Sequence, residues 1–200
     1  MAPDRKAPIT AERLLRMVAL TPDTLSGARD RAILLLGFAG ALRRSELAAL
    51  KVEDIEFLAE GMRVTIRRSK TDQEGKGQAV GIVRGTCACP VEAVRQWLER
   101  AKITAGSVFR PVTKGGRLMD FPLTPHSVGM IVKTYAGRSG LDAREFGAHS
   151  LRAGFLTSAA LRRASIFKMM DVSRHKSVDT LRSYVRDADA FKNHAGEGLL

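Results

Sequence analysis

The stretch Arg63-Val-Thr-Ile-Arg-Arg-Ser-Lys-Thr-Asp-Gln-Glu-Gly-Lys-Gly-Gln-Ala-Val-Gly-Ile-Val83 decides what kind of fold this chain adopts. Val64 and Ile66 alternate with Arg63, Thr65 and Arg67, and a period of two belongs to a half-buried strand rather than to a helix. Residues 79–83 offer a partner strand. The polar, glycine-containing segment between the runs reads as the turn of an antiparallel hairpin with a basic tip, and Lys70 stands at its entry. On both sides of this region the period is helical.

Upstream, residues 11–20 place Leu14, Leu15 and Val18 on one face behind Thr10, a plausible N-cap. Residues 29–39 contain Ile33-Leu34-Leu35-Leu36, apolar on every side, which predicts a helix through the middle of the core. Another helix begins near Arg43. Downstream, Pro90 at a first helical position precedes Val91, Val94, Trp97, Leu98 and Ala101 on one face, and Thr124-Pro125 does the same for Val128, Ile131, Val132 and Tyr135. After breaks at Gly140 and Gly147 a further helical series covers 150–161, 165–170 and 177–185, and residues 188–200 form a tail. There is no internal repeat or low-complexity linker. The expectation is one compact domain, mainly α with a small antiparallel β-sheet, an α+β fold.

Two hundred residues, 44% of them hydrophobic, suffice for a sizeable core. Lys and Arg outnumber Asp and Glu by 33 to 21, and the resulting net charge of +12 points to an anionic polymer as partner, nucleic acid ahead of a membrane surface. No apolar run approaches the roughly 20 residues of a membrane span. The charged start is unlike a signal peptide, so a cytoplasmic, nucleoid-associated protein is expected. Cys87 and Cys89 stand too close for an ordinary disulfide and without the second pair of a zinc site, so they read as reduced structural thiols. Four scattered histidines make no metal-ligand cluster, and neither metal nor other cofactor is expected. Aromatic residues, 6% of the chain, do not interleave with basic ones as an RNA-stacking platform requires.

A phenol, Tyr184, following spaced basic residues suits attack on a phosphodiester. Cutting a phosphodiester through an enzyme nucleophile needs an activated hydroxyl, cations on the nonbridging oxygens and an acid for the departing oxygen. Tyr184 can be the nucleophile; a phenolate is a usable leaving group, so its phosphate ester keeps the bond energy for a second transfer without ATP. Arg43 and Arg152 suit the nonbridging oxygens, since guanidinium is permanently charged and presents a planar fork of donors. His149, three residues before Arg152, would share a helical face with it at an N-terminus and act as general base or orient the phosphate. Lys70 can protonate the 5′ leaving group, and His175 can hydrogen-bond the phosphate.

In order and spacing these residues resemble the catalytic domain of the tyrosine recombinases, the phage integrase family. Gly40-Ala-Leu-Arg-Arg-Ser-Glu-Leu47 is similar to the family's first arginine box, with Arg43 in the catalytic position and Glu46 in that of the supporting acid. Arg68-Ser-Lys-Thr-Asp72 resembles the lysine hairpin, Ala148-His-Ser-Leu-Arg-Ala-Gly154 the second box, Arg174-His-Lys-Ser-Val178 the last histidine, and Leu181-Arg-Ser-Tyr-Val185 the nucleophile.

The resemblance covers roughly residues 9–191. It implies a catalytic domain over 9–187, a linker remnant over 1–8, and a tail over 188–200 that docks on a neighbouring protomer. It further implies attack by Tyr184 to give a 3′-phosphotyrosyl link and a free 5′-hydroxyl, at a specific recombination site in double-stranded DNA, by a homo-tetramer that is monomeric when free. Arg44, Arg174 and Lys176 flank the boxes as DNA-contact candidates. Arg174 stands where the family usually has Gly. Family members also carry a helical DNA-binding domain ahead of the catalytic one, so affinity of this chain alone is expected to be low and salt-sensitive. The alternative is a non-catalytic DNA-binding remnant that occupies or blocks recombination sites.

Overall fold

The structure, a computed structural model, describes residues 6–67 and 77–189, the last four by backbone alone. Helix α1 (Ala11–Ala19) follows an extended Thr10, but the threonine hydroxyl does not cap it. The Ala11 N–H donates instead to Ser158 Oγ at 2.9 Å, which ties the helix start to a segment 147 residues away. Helix α2 (Leu25–Ala39) begins earlier than its apolar run suggests, because Thr24 accepts the Gly27 N–H at 3.1 Å and supplies an N-cap. Ile33, Leu34, Leu35 and Leu36 are all buried, so α2 runs through the centre as its unbroken apolarity predicts. Helix α3 (Arg44–Ala49) takes Arg43 as its N-cap.

Three antiparallel strands follow, β1 (Ile55–Phe57), β2 (Gly61–Ile66) and β3 (Gln78–Val83), in the order β1-β2-β3. The alternation of β2 is realised: Met62, Val64 and Ile66 are buried, with Ile82 opposite Met62 and Val80 opposite Val64. β1, too short for its alternation to register in the sequence, adds a third strand by pairing Ile55 with Val64 and Phe57 with Met62. Lys70 lies outside the described residues.

Helices α4 (Pro90–Ala101) and α5 (Pro125–Arg138) each open on proline, as read. Trp97 is fully buried and donates Nε1–H to the Val108 carbonyl at 2.8 Å, which satisfies its polar atom inside the core. Truncating so large a buried side chain costs about 3–5 kcal/mol. Tyr135 is buried as well, and its hydroxyl donates to Asp30 Oδ2 at 3.2 Å. Burial first, and the Asp30 charge second, push its pKa to about 12, so Tyr135 keeps its proton and serves packing. Cys87 and Cys89 are free thiols.

Helices α6 (His149–Leu161), α7 (Ile166–Ser173) and α8 (Val178–Asp189) enclose a second, smaller apolar cluster of Leu156, Ala160, Met169 and Leu181. Helix α6 starts one residue earlier than read, so His149 itself lies in the first turn. Gly154 sets how the chain start meets this helix: a Cβ there would lie 1.7 Å from the Ile9 carbonyl oxygen, while the Ile9 N–H bonds the Ser150 carbonyl at 2.9 Å. The extended segment before α1 therefore lies directly on the α6 backbone, and α6 is held where its N-terminus faces α3. Among the described residues no helix is long and apolar enough to cross a membrane.

Candidate active site

Among the described residues, three chain turns meet at the site. The first follows α2, where Gly40 caps the helix and Ala41 takes a left-handed φ of 45°, which turns the chain sharply into Arg43. Glu46, one turn into α3, reaches back and accepts the Arg43 backbone N–H at 2.8 Å through Oε2. That contact is half of a capping box, and it fixes the carboxylate beside the Arg43 guanidinium, whose Nη1 donates to Oε1 at 2.8 Å. The Glu46 side chain is only 2% exposed and that of Arg43 28%, so the arginine is the member of the pair that reaches the surface.

The second turn is the start of α6. His149 and Arg152 sit one helical turn apart on the cleft side, the arrangement their spacing predicts. Arg152 is buried, with Nη1 donating to the Ala41 carbonyl at 2.8 Å. The third turn links α7 to α8. Ser173 Oγ donates to the Met169 carbonyl at 2.6 Å and lies 2.7 Å from His175 Nδ1. Because the hydroxyl hydrogen is used on the carbonyl, Oγ accepts from Nδ1–H, which leaves the other ring nitrogen of neutral His175 bare. Arg152 Nη2 approaches that nitrogen, Nε2, at 3.3 Å.

Tyr184, half-buried on α8, packs on the second apolar cluster, near enough to Arg152 for their charges to interact. The structure thus brings Arg43, His149, Arg152, His175 and Tyr184 into one neighbourhood. Arg44 is exposed on the cleft and Lys176 exposed beside His175.

Arg174 departs from its reading as a DNA contact. Its backbone is left-handed at φ 57° and closes the end of α7, and its side chain is 2% exposed, held by Glu46 Oε2 at 2.6 Å. The helix end aims this side chain inward, toward the Glu46 carboxylate, and away from any polyanion outside.

Electrostatically the site is overloaded with positive charge. Burial, then repulsion from Arg43 and Arg174, lowers the Arg152 pKa to about 10, still charged at neutral pH. The His175 pKa falls to about 4, through burial first and then Arg152, Arg43, His149 and Arg174, so the ring is neutral. His149 is lowered for the same reasons, with Arg152 and Arg43 as its neighbours. Among the described residues, three guanidinium groups meet one carboxylate here, an arrangement that an incoming phosphate would relieve.

A cleft lined by Arg43, His149 and Arg152 has a volume of about 750 Å³. Its wall includes Lys6, His126 and Lys133, which the sequence reading did not single out. His126 and Lys133 lie seven residues apart on α5, a spacing that puts them on one face; only the docking of α5 against α3 shows that this face borders the cleft.

The family model of the phage integrase family matches residues 8–190 of this chain. An integrase/recombinase xerD homolog of Selenomonas ruminantium is 41% identical over 193 residues, which are 95% of this chain and 57% of that protein. Tyrosine recombinase XerA of Pyrococcus furiosus is 28% identical over 178 residues, 89% of this chain and 56% of that protein. The chain therefore spans little more than half the length of these relatives. Among solved structures, the post-cleavage complex of XerH site-specific recombinase with palindromic difH substrate superposes with a TM-score of 0.71 at 21% identity, covering 98% of this chain and 53% of that one. A lambda integrase dimer bound to a COC' core site gives 0.66 at 17% identity, covering 97% and 51%. These two likenesses establish a shared fold.

Proposed function

This chain belongs to the phage integrase family of tyrosine recombinases, and from that membership we propose that it cuts and rejoins strands of duplex DNA through Tyr184 at a specific recombination site. The Tyr184 phenolic oxygen attacks phosphorus, the bond from phosphorus to the 5′ oxygen breaks, and a 3′-phosphotyrosyl ester forms with a free 5′-hydroxyl. A 5′-hydroxyl from a partner duplex then attacks the ester and releases the tyrosine. Arg43 and Arg152 hold the nonbridging oxygens, where permanent charge and forked donors stabilise the negative charge that builds up in the transition state. His149 takes the phenolic proton or orients the phosphate. Lys70 gives a proton to the departing oxygen. His175 has its Nδ1 proton tied to Ser173 and turns Nε2 toward the arginines; it would donate to the phosphate from Nε2 once the arriving negative charge favours its protonated form.

One observation carries this reading: Tyr184 on α8 stands near the buried Arg152, which lines the cleft together with Arg43 and His149. Residues 9–187 would form the catalytic unit, with 188–200 docking on a neighbouring protomer in a DNA-bound tetramer, in nucleoid-associated cytoplasm. XerH is bound to a difH substrate, the lambda integrase dimer to a COC' core site, and the Tn1549 transposon integrase, of the same fold, is in complex with transposon right end DNA, which supports DNA as the partner here.

The test is a pool of nicked duplexes randomised around the nick, on which cleavage traps the protein covalently. The wild-type chain is expected to form an SDS-resistant adduct and Tyr184→Phe none. Equal adduct in both would remove Tyr184 as the nucleophile. Duplex binding without an adduct in either would favour a protein that only occupies such sites.

A further inference from the structure

Arg174 sits next to His175 yet faces away from the cleft. Its Nη1 donates to the Val172 carbonyl at 2.9 Å and to the Gly40 carbonyl at 3.2 Å, across a gap of 134 residues in the chain. Its Nη2 meets Glu46 Oε2 at 2.6 Å. The turn that carries His175 is thereby fastened to the turn that carries Arg43, and the same Ala41 carbonyl that receives Arg152 lies at the edge of this clamp.

The division of the Glu46 carboxylate matters most. An arginine and a carboxylate left to themselves favour two parallel hydrogen bonds, which would turn two donors of Arg43 onto Glu46. Here Oε2 is occupied by Arg174 and by the Arg43 backbone N–H, and among the described residues the Arg43 side chain meets Glu46 at Oε1, through Nη1. Among the described residues its other donors are not spent on Glu46, and the side chain lines the cleft. One negative charge is also divided between two guanidinium groups, so more of the Arg43 charge is left for a phosphate.

We propose that Arg174 is a positioning residue for strand cleavage, holding Glu46 away from a two-point closure on Arg43 while locking the His175 turn in place. The proposal rests on the recombinase reading above.

The test uses the full chain and the randomised nicked pool, with adduct formation rate and duplex affinity measured separately. Arg174→Gly is the first variant, because the left-handed backbone at this position accepts glycine without strain. It is expected to slow adduct formation by about tenfold, a coupling normal for contacting charged groups, with affinity for a mixed-sequence duplex unchanged. Arg174→Lys, which keeps one cation near Oε2, is expected to recover part of that rate and serves in its place if the glycine variant does not fold.

The discriminating arm adds Glu46→Gln. If Arg174 acts by keeping the Glu46 charge off Arg43, the double variant forms adduct no more slowly than Arg174→Gly alone. A further, additive loss in the double variant would reduce Arg174 to a structural brace and overturn the proposal, as would a wild-type rate in Arg174→Gly. A wild-type chain that forms no adduct would instead bring down the recombinase reading itself, and the proposal with it.

Discussion

Gly154→Ala sets two physical rules against each other. Glycine in the middle of α6 lowers intrinsic helix stability, so by propensity alone alanine gains about 1 kcal/mol. The tertiary contact opposes this. The new Cβ would stand 1.7 Å from the Ile9 carbonyl oxygen and 2.3 Å from its carbon, both backbone atoms that cannot rotate aside. The segment must lift off α6. It would expose Ile9, which is fully buried, at about 2 kcal/mol, and break the Ile9 N–H bond to Ser150 and the Ala7 N–H bond to Glu145, at about 1 kcal/mol each. The net expectation is a loss of about 3 kcal/mol, or roughly 6–12 °C in Tm for a domain of this size. Urea unfolding followed by circular dichroism measures it, with the slope as a check that the folded state is otherwise unchanged. A variant as stable as wild type, or more so, would refute the close approach of residue 9 to α6 and the position of the α6 N-terminus argued from it.

Two other predictions concern charge. The folded-state pKa of His175, about 4, lies below the value of about 6.5 in an unfolded chain, so the unfolded state takes up the proton first. Its contribution to stability is fully present above about pH 6.5 and is lost as pH falls toward about 4; solvent screening of a half-buried ring limits the loss to about 1–2 kcal/mol. His175→Gln should flatten that limb of the stability curve, and an unchanged limb in the variant would place the acid sensitivity elsewhere. Lys133→Ala, on the α5 wall of the cleft, is expected to weaken duplex binding equally for all sequences and to reduce the salt slope by about one, as read from fluorescence anisotropy at several salt concentrations. An unchanged slope would take Lys133 off the phosphate path.

What depends on neighbours along the chain was legible in the sequence. Alternation at Val64 and Ile66 specified the strand, the proline starts of α4 and α5 and the unbroken apolar run of α2 specified helices, and the three-residue spacing of His149 and Arg152 put both on one face of α6. These are local because helical and strand periods act within a few residues. Where a period had no room to show, as in the three residues of β1, or where a cap lay outside the apolar run, as at Thr24, the boundaries were lost.

Which way the charges face depends on contacts that folding makes between distant parts of the chain. Arg174 reads as one more surface cation until Glu46, 128 residues earlier, draws it inward. Arg152 becomes a buried cation because Ala41, 111 residues away, turns its carbonyl toward it. His126 and Lys133 join the cleft only through the docking of α5 on α3. Each outcome depends on a partner brought close by folding, and the attraction between opposite charges falls with distance in space while taking no account of separation in sequence.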